Sequence, residues 1–236
     1  MIGHRGAAAY APENTLAGFR AARALGCTWV EFDVRLTADN ALVICHDDAL
    51  VRTMGVRGRI SRLPLVAMRQ LDAGSWFGSG FAGERLPTLE ETLVLCRNIG
   101  LAANAEIKAE RGREEATATA VAGCLARLGE LPPILISSFL TRAVEEAAKS
   151  IPAIPRGMLW RKLPRHWRTT AERLSCTTIH CGQKELTQKA TAEVCGAGYP
   201  LLAYTINDAA RARELFAWGV ASVFSDAPDI IAHAAA

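Results

Sequence analysis

Short apolar runs and amphipathic stretches alternate along nearly the whole 236-residue chain. Runs at 2–5, 29–34, 42–46, 103–107, 134–137, 156–159, 177–180, 201–206 and 222–224 predict β-strands. Between them, apolar positions at helical spacing predict helices over 15–25, 88–98, 114–128, 141–149, 165–174, 188–196 and 209–216. Asn14 or Thr15 is suited to cap the first helix and Asp208 the last, with Gly219 closing the turn behind it. Repeated βα alternation of this kind points to a parallel sheet covered by helices.

Nine strand candidates are one too many for an eight-stranded barrel. The link at 35–41 is only seven residues long, whereas a βαβ crossover needs at least ~10–12. Residues 29–46 therefore read as a strand, a turn at Ala38-Asp39-Asn40 and an antiparallel return; an extended descent to a parallel third strand is the alternative. With the return set aside, eight strands remain, and the fold class is α/β, a TIM (β/α)8 barrel, whose ordinary size of ~250 residues this chain approaches. From about 47 to 86 the alternation breaks. That stretch is rich in glycine, holds Trp76-Phe77 and one short helical piece near 64–71, and reads as a small insertion on the C-terminal rim. Residues 1–236 are thus expected to form one barrel domain, with an alanine-rich tail frayed after Ile231.

Half the residues are hydrophobic, enough for a sizeable core. A net charge of +3 without runs of like charge gives no support to nucleic-acid binding. No apolar stretch approaches the ~20 residues of a membrane span, so stable membrane insertion is not expected. No signal-like segment precedes His4, and seven scattered cysteines suit reduced thiols; both suggest a cytoplasmic setting.

The polar residues inside the strands carry the chemistry. In Glu31-x-Asp33 and Glu106-x-Lys108 the charged side chains sit two apart, on one face, while Phe32 and Ile107 face the other way. His4-Arg5 closes the first strand and His46 the return, which would bring His46 back beside Glu31 and Asp33. Glu31, Asp33 and Glu106 form a hard-oxygen set that suits a divalent metal ion, Mg²⁺ or Ca²⁺, over Zn²⁺. Arg5 and Lys108 can hold phosphate oxygens, and His4 and His46 can act as general base and acid. Cys176, His180 and Cys181 lack a zinc spacing and read as core or lumen residues. His166, set among Arg161, Lys162, Arg165 and Arg168 with Trp160 and Trp167 interleaved, reads as the solvated face of a helix. Glu13 is placed to brace the site, and His233 reads as incidental.

The runs His4-Arg5-Gly6, Pro12-Glu13-Asn14-Thr15, Val30-Glu31-Phe32-Asp33-Val34, Thr37-Ala38-Asp39 and His46-Asp47-Asp48 resemble the signature of the glycerophosphodiester phosphodiesterase family. Leu71-Asp72-Ala73-Gly74-Ser75-Trp76, Pro87-Thr88-Leu89-Glu90-Glu91, Glu106-Ile107-Lys108, Tyr204-Thr205-Ile206-Asn207 and Ser225-Asp226-Ala227-Pro228 continue the match in order. The resemblance implies hydrolysis of a small-molecule glycerophosphodiester to sn-glycerol 3-phosphate and an alcohol, by a monomer or homodimer. It implies Glu31, Asp33 and Glu106 as metal ligands, His4 and His46 as the acid–base pair, and Arg5 and Lys108 as the phosphate cradle. It also places Tyr204, where the family usually has tryptophan, against the glycerol. A further departure is Ala49 and Val51, which replace the Thr and Asp common after His46-Asp47-Asp48. In this reading the glycerol 2-hydroxyl attacks the phosphorus to give a cyclic phosphate that water opens, with base and acid unassigned between the histidines. A lysophospholipase D or cyclising phospholipase, a binding module for a phosphorylated ligand, and a barrel isomerase or aldolase are the rival readings.

Overall fold

A computed structural model of the chain describes residues 1–232. Nine strands occur: β1 (Ile2–Gly3), β2 (Trp29–Leu36), β3 (Leu42–Ile44), β4 (Ala102–Ile107), β5 (Ile134–Ser138), β6 (Arg156–Trp160), β7 (Thr178–Gly182), β8 (Leu201–Tyr204) and β9 (Ser222–Ser225). Eight of them pair in parallel in the order β1-β2-β4-β5-β6-β7-β8-β9, and β1 pairs with both β2 and β9, so the barrel closes. β3 runs antiparallel to the far end of β2, with Val34 opposite Ile44 and Leu36 opposite Leu42. The seven-residue link is thus a hairpin, and the barrel keeps eight strands.

The helices are α1 (Leu16–Ala24), α2 (Val51–Met54), α3 (Leu65–Met68), α4 (Leu89–Asn98), α5 (Glu114–Leu128), α6 (Thr141–Ser150), α7 (Trp167–Arg173), α8 (Gln188–Gly196), α9 (Ala209–Ala217) and α10 (Pro228–Ala232). Thr15, not Asn14, caps α1 by accepting from Gly18 N, and Asp208 caps α9 by accepting from Arg211 N. Thr88 and Glu91 close a reciprocal capping box on α4, which accounts for that motif without any catalytic role. α7 starts at Trp167, two residues later than the pattern predicts, because Pro164 and the two residues after it form a turn. Ala232 still belongs to α10; the rest of the predicted frayed tail, His233 included, lies outside the described residues.

Strand alternation sorts the side chains. Phe32, Ile107, Val30 and Val34 pack outward with Phe19, Leu89 and Leu93 in the layer between barrel and helices. Ile2, Leu202 and Phe224, with Trp29 and Tyr204 against them, fill the lumen. Trp167 and Cys181 lie in the outer layer on the opposite flank. The seven cysteines are free thiols, six of them buried. His180 is a lumen residue stacked on Phe224 at 5.3 Å, with Cys176 and Cys181 buried in the outer apolar layer.

Residues 47–86 depart from the βα repeat, as the glycine content predicts, and collect a small core of their own from Leu50, Ile60, Met68, Ala73 and Leu86 against Val43 and Cys45. Asp72 organises the loop: it accepts from the N–H groups of Gly74, Ser75 and Gly83, each at 2.8 Å. Thr37 and Asp39 do the same at the hairpin turn, Asp39 also accepting from Leu65 N. Among the described residues no helix is long and apolar enough to cross a membrane.

Candidate active site

At the C-terminal end of the barrel a cleft of about 280 Å³ is lined by His4, Arg5, Glu31, Asp33, His46, Glu106, Lys108 and Tyr204, all eight site residues read from the sequence. Three of them, His4, Arg5 and His46, fall inside predicted strands but beyond the ends of the observed ones. β1 stops at Gly3, since Arg5 and Gly6 turn the chain with φ of +53° and +92°. A Cβ on Gly6 would also stand 2.6 Å from the Gly18 carbonyl carbon, so the His-Arg-Gly turn needs glycine there. β3 ends at Ile44, and His46 follows on the loop entering the insertion.

Glu31 and Asp33 on β2 and Glu106 on β4 are buried, and carboxylate oxygens of all three lie within 4.8 Å of one another. Their environments differ. Asp33 accepts from Asn14 Nδ2 at 2.8 Å, and Lys108 Nζ at 3.2 Å and Arg5 Nε at 3.5 Å neutralise it. Burial works against its charge, yet Lys108 and Arg5 outweigh it and hold Asp33 well below the usual carboxylate range. Burial first, then Asp33 and Glu106, push Glu31 well above its ordinary value. Burial and Asp33 raise Glu106 to about 7. Glu31 Oε2 accepts from Arg5 N at 2.9 Å, while Glu31 Oε1 is buried with no partner. An all-carboxylate cluster with an unpartnered buried oxygen fits a divalent cation, which would offset the repulsion that otherwise favours protonation.

Both histidines are oriented by aspartates. His4 Nδ1 lies 2.6 Å from Asp226 Oδ1, and His46 Nδ1 lies 2.6 Å from Asp47 Oδ1. Asn207 fixes Asp226 by donating Nδ2 to Oδ2 and accepting the Asp226 N–H. Arg52 holds Asp47 at 2.6 Å and bridges to Glu13, which in turn receives Arg5. Burial alone would raise Asp47; Arg52 and His46 outweigh it and bring it to about 2. Burial lowers His46 despite the charge of Asp33. Glu13 thus braces the site, and Asp226, Asp47, Asn14 and Asn207 join it as orienting residues whose roles the spacing does not reveal. Arg35 was also missed: it donates to the carbonyls of His46 and Lys108, tying the hairpin to the end of β4. Its signal in the sequence was only its place two residues after Asp33.

The other side of the cleft is apolar, formed by Phe139, Leu159, Tyr204 and Phe224. Tyr204 stacks edge-on to Phe139 at 5.8 Å and gives its hydroxyl to the Trp160 carbonyl at 2.8 Å, which keeps an aromatic face toward the cleft. Arg161 follows the end of β6 and lines the cleft, off the solvated helix face read from the sequence, and Trp167 is core and donates Nε1 to Glu193. Of the departures after His46-Asp47-Asp48, Ala49 bridges to Arg59, and Val51 is exposed at the start of α2.

Residues 4–230 match the model of the Glycerophosphoryl diester phosphodiesterase family. The chain belongs to that family. Two bacterial relatives of this glycerophosphoryl diester phosphodiesterase family member match nearly its whole length. The Bacillus subtilis protein YhdW is 34% identical over 243 residues, spanning 98% of this chain and 96% of its own. The glycerophosphodiester phosphodiesterase of Caldanaerobacter subterraneus is 30% identical over 236 residues, spanning 98% and 95%. A phosphodiesterase of Oleispira antarctica, solved with its product sn-glycerol-3-phosphate, superposes with a TM-score of 0.96 at 39% identity, covering 99% of this chain and 95% of that one.

Proposed function

We propose that the chain hydrolyses glycerophosphodiesters to sn-glycerol 3-phosphate and an alcohol. The observation that carries the reading is two histidines, each tied through Nδ1 to an aspartate at 2.6 Å, beside a buried three-carboxylate cluster. Glu31, Asp33 and Glu106 would hold a divalent cation, with Mg²⁺ or Ca²⁺ favoured by the absence of nitrogen and sulfur from the set. When bound, such a cation supplies Lewis-acid polarisation of a phosphoryl oxygen.

The protein's own groups do the rest. Lys108 places its ammonium on Asp33 and Glu106 at 3.2 and 3.7 Å, and one of its three N–H groups stays available to a phosphoryl oxygen. Arg5, held by Glu13 and Asp33, adds a second positive charge where negative charge builds on the phosphorane. In a neutral histidine whose Nδ1–H donates to aspartate, Nε2 is a proton acceptor; in a protonated one it is a donor. One histidine therefore takes the proton of the attacking hydroxyl while the other gives one to the departing alcohol oxygen. Phe139, Leu159, Tyr204 and Phe224 pack the carbon skeleton and keep bulk water from that side.

Turnover of glycerophosphocholine or glycerophosphoethanolamine, coupled to detection of glycerol 3-phosphate, is expected with Mg²⁺, Ca²⁺ or Mn²⁺ present. No release with any head group under any of these ions would remove the reading.

A further inference from the structure

Buried polar atoms in folded proteins nearly always have a hydrogen-bond partner, and each exception calls for a physical reason. Among the described residues Asn104 is the one side chain with two such unpartnered atoms, both Nδ2 and Oδ1. It is only 1% exposed, yet it lines the cleft. In the β2–β4 register it stands directly opposite Glu31, whose Oε1 is also unpartnered, and it makes no hydrogen bond to it. A carboxamide that lines a cleft beside a carboxylate, with no hydrogen bond to the protein, offers a donor and an acceptor side by side.

The rest of the cleft narrows what could fill them. Arg5 and Lys108 are placed for phosphate, and the Tyr204 hydroxyl is already engaged with the Trp160 carbonyl. Thr205 is half-buried, so Asn104 is the one fully buried neutral polar side chain among the residues that line the cleft. A hydroxyl both donates and accepts, as the carboxamide does, and matches it atom for atom. The apolar wall across the cleft suits the carbons that carry such a hydroxyl.

We propose that Asn104 recognises a hydroxyl of the substrate's glycerol and thereby selects glycerol-containing diesters; the inference rests on the phosphodiesterase reading above. Asn104 is then a specificity residue, distinct from the acid–base pair and the carboxylates.

The test is binding, measured calorimetrically with Mg²⁺ or Ca²⁺ present. The ligands are sn-glycerol 3-phosphate and its two deoxy analogues, propane-1,3-diol monophosphate, which lacks the 2-hydroxyl, and propane-1,2-diol 1-phosphate, which lacks the terminal one. Wild-type protein should prefer glycerol 3-phosphate over at least one analogue by ~10–100-fold, the range expected when a buried polar group loses its partner. Asn104→Ala and Asn104→Leu should erase that preference by weakening glycerol 3-phosphate alone. Their ligand-free Tm should stay close to that of the wild type, since the amide makes no hydrogen bond to the protein; a residue holding the fold would lower it. A preference that survives in both variants, equal weakening of all three ligands, or no preference in the wild type would overturn the inference. Turnover of glycerophosphodiesters by the wild type alongside any of these results leaves the broader reading standing, whereas absent turnover removes that reading itself.

Discussion

Each cleft histidine turns Nδ1 onto an aspartate, so its tautomer and ring plane are set before substrate arrives. His4→Ala and His46→Ala should each depress kcat by at least ~10²-fold if these rings move protons; wild-type rates in a folded variant would take that histidine out of the mechanism. Asp47→Asn tests the orientation separately. The Asp47 carboxylate raises the His46 pKa against the lowering effect of burial, so the amide should drop it further. The limb of the pH–rate profile governed by His46 should therefore move to lower pH, and kcat should fall by ~10-fold or more. An unmoved profile would reduce Asp47 to a surface partner of Arg52. The sequence discloses both histidines through their motifs, but not both partners with equal ease. Asp47 is the next residue, whereas Asp226 is 222 positions away and meets His4 only because the barrel closes. Asn104 was invisible for a different reason: alternation says that it faces inward, and nothing in alternation says that it lacks a partner.

Among elements, β2 is the one the sequence describes best. Its polar face, its apolar face and its short link to β3 were all legible, because period-two alternation and the minimum length of a crossover are strict physical limits. Strand ends were less so: left-handed backbone at Arg5 stops β1 two residues early, and residue identity alone does not reveal a non-glycine φ of +53°. β7 gives an element-scale prediction. His180 on this strand is fully buried, and burial lowers its pKa to about 3. Between 6.5 and that value the unfolded chain takes up a proton that the folded lumen refuses. This residue therefore costs no stability above pH 6.5 and progressively more as pH falls toward 3, by up to about 1.4 kcal/mol per pH unit. His180→Gln should flatten the acid side of the stability curve, measured by urea unfolding between pH 7 and pH 4. A constant offset between variant and wild type across that range would contradict the assignment.

At the scale of the whole molecule, a cation held as proposed would link ion binding to folding through the carboxylate cluster. Without a cation, folded Glu106 titrates at about 7 instead of its ordinary 4.5, and Glu31 is raised in the same direction. The folded protein thus retains protons that the unfolded chain has released, and stability falls as pH rises from 4.5 through 7. A divalent cation replaces those protons, so saturating Mg²⁺ or Ca²⁺ should raise Tm more at pH 8 than at pH 6, with a chelator reversing the gain. The reverse order would mean that the ion binds elsewhere. Closure of the barrel has a consequence in time as well. β1 pairs with β9, the His4 N–H donates to the Ser225 carbonyl, and its ring waits for Asp226. At synthesis rates of roughly 5–20 residues per second, His4 exists for roughly ten to forty seconds before its aspartate is made. A nascent or prematurely terminated chain can carry Glu31, Asp33 and Glu106 and still lack an oriented His4, so the last strand acts as the arming step of the enzyme.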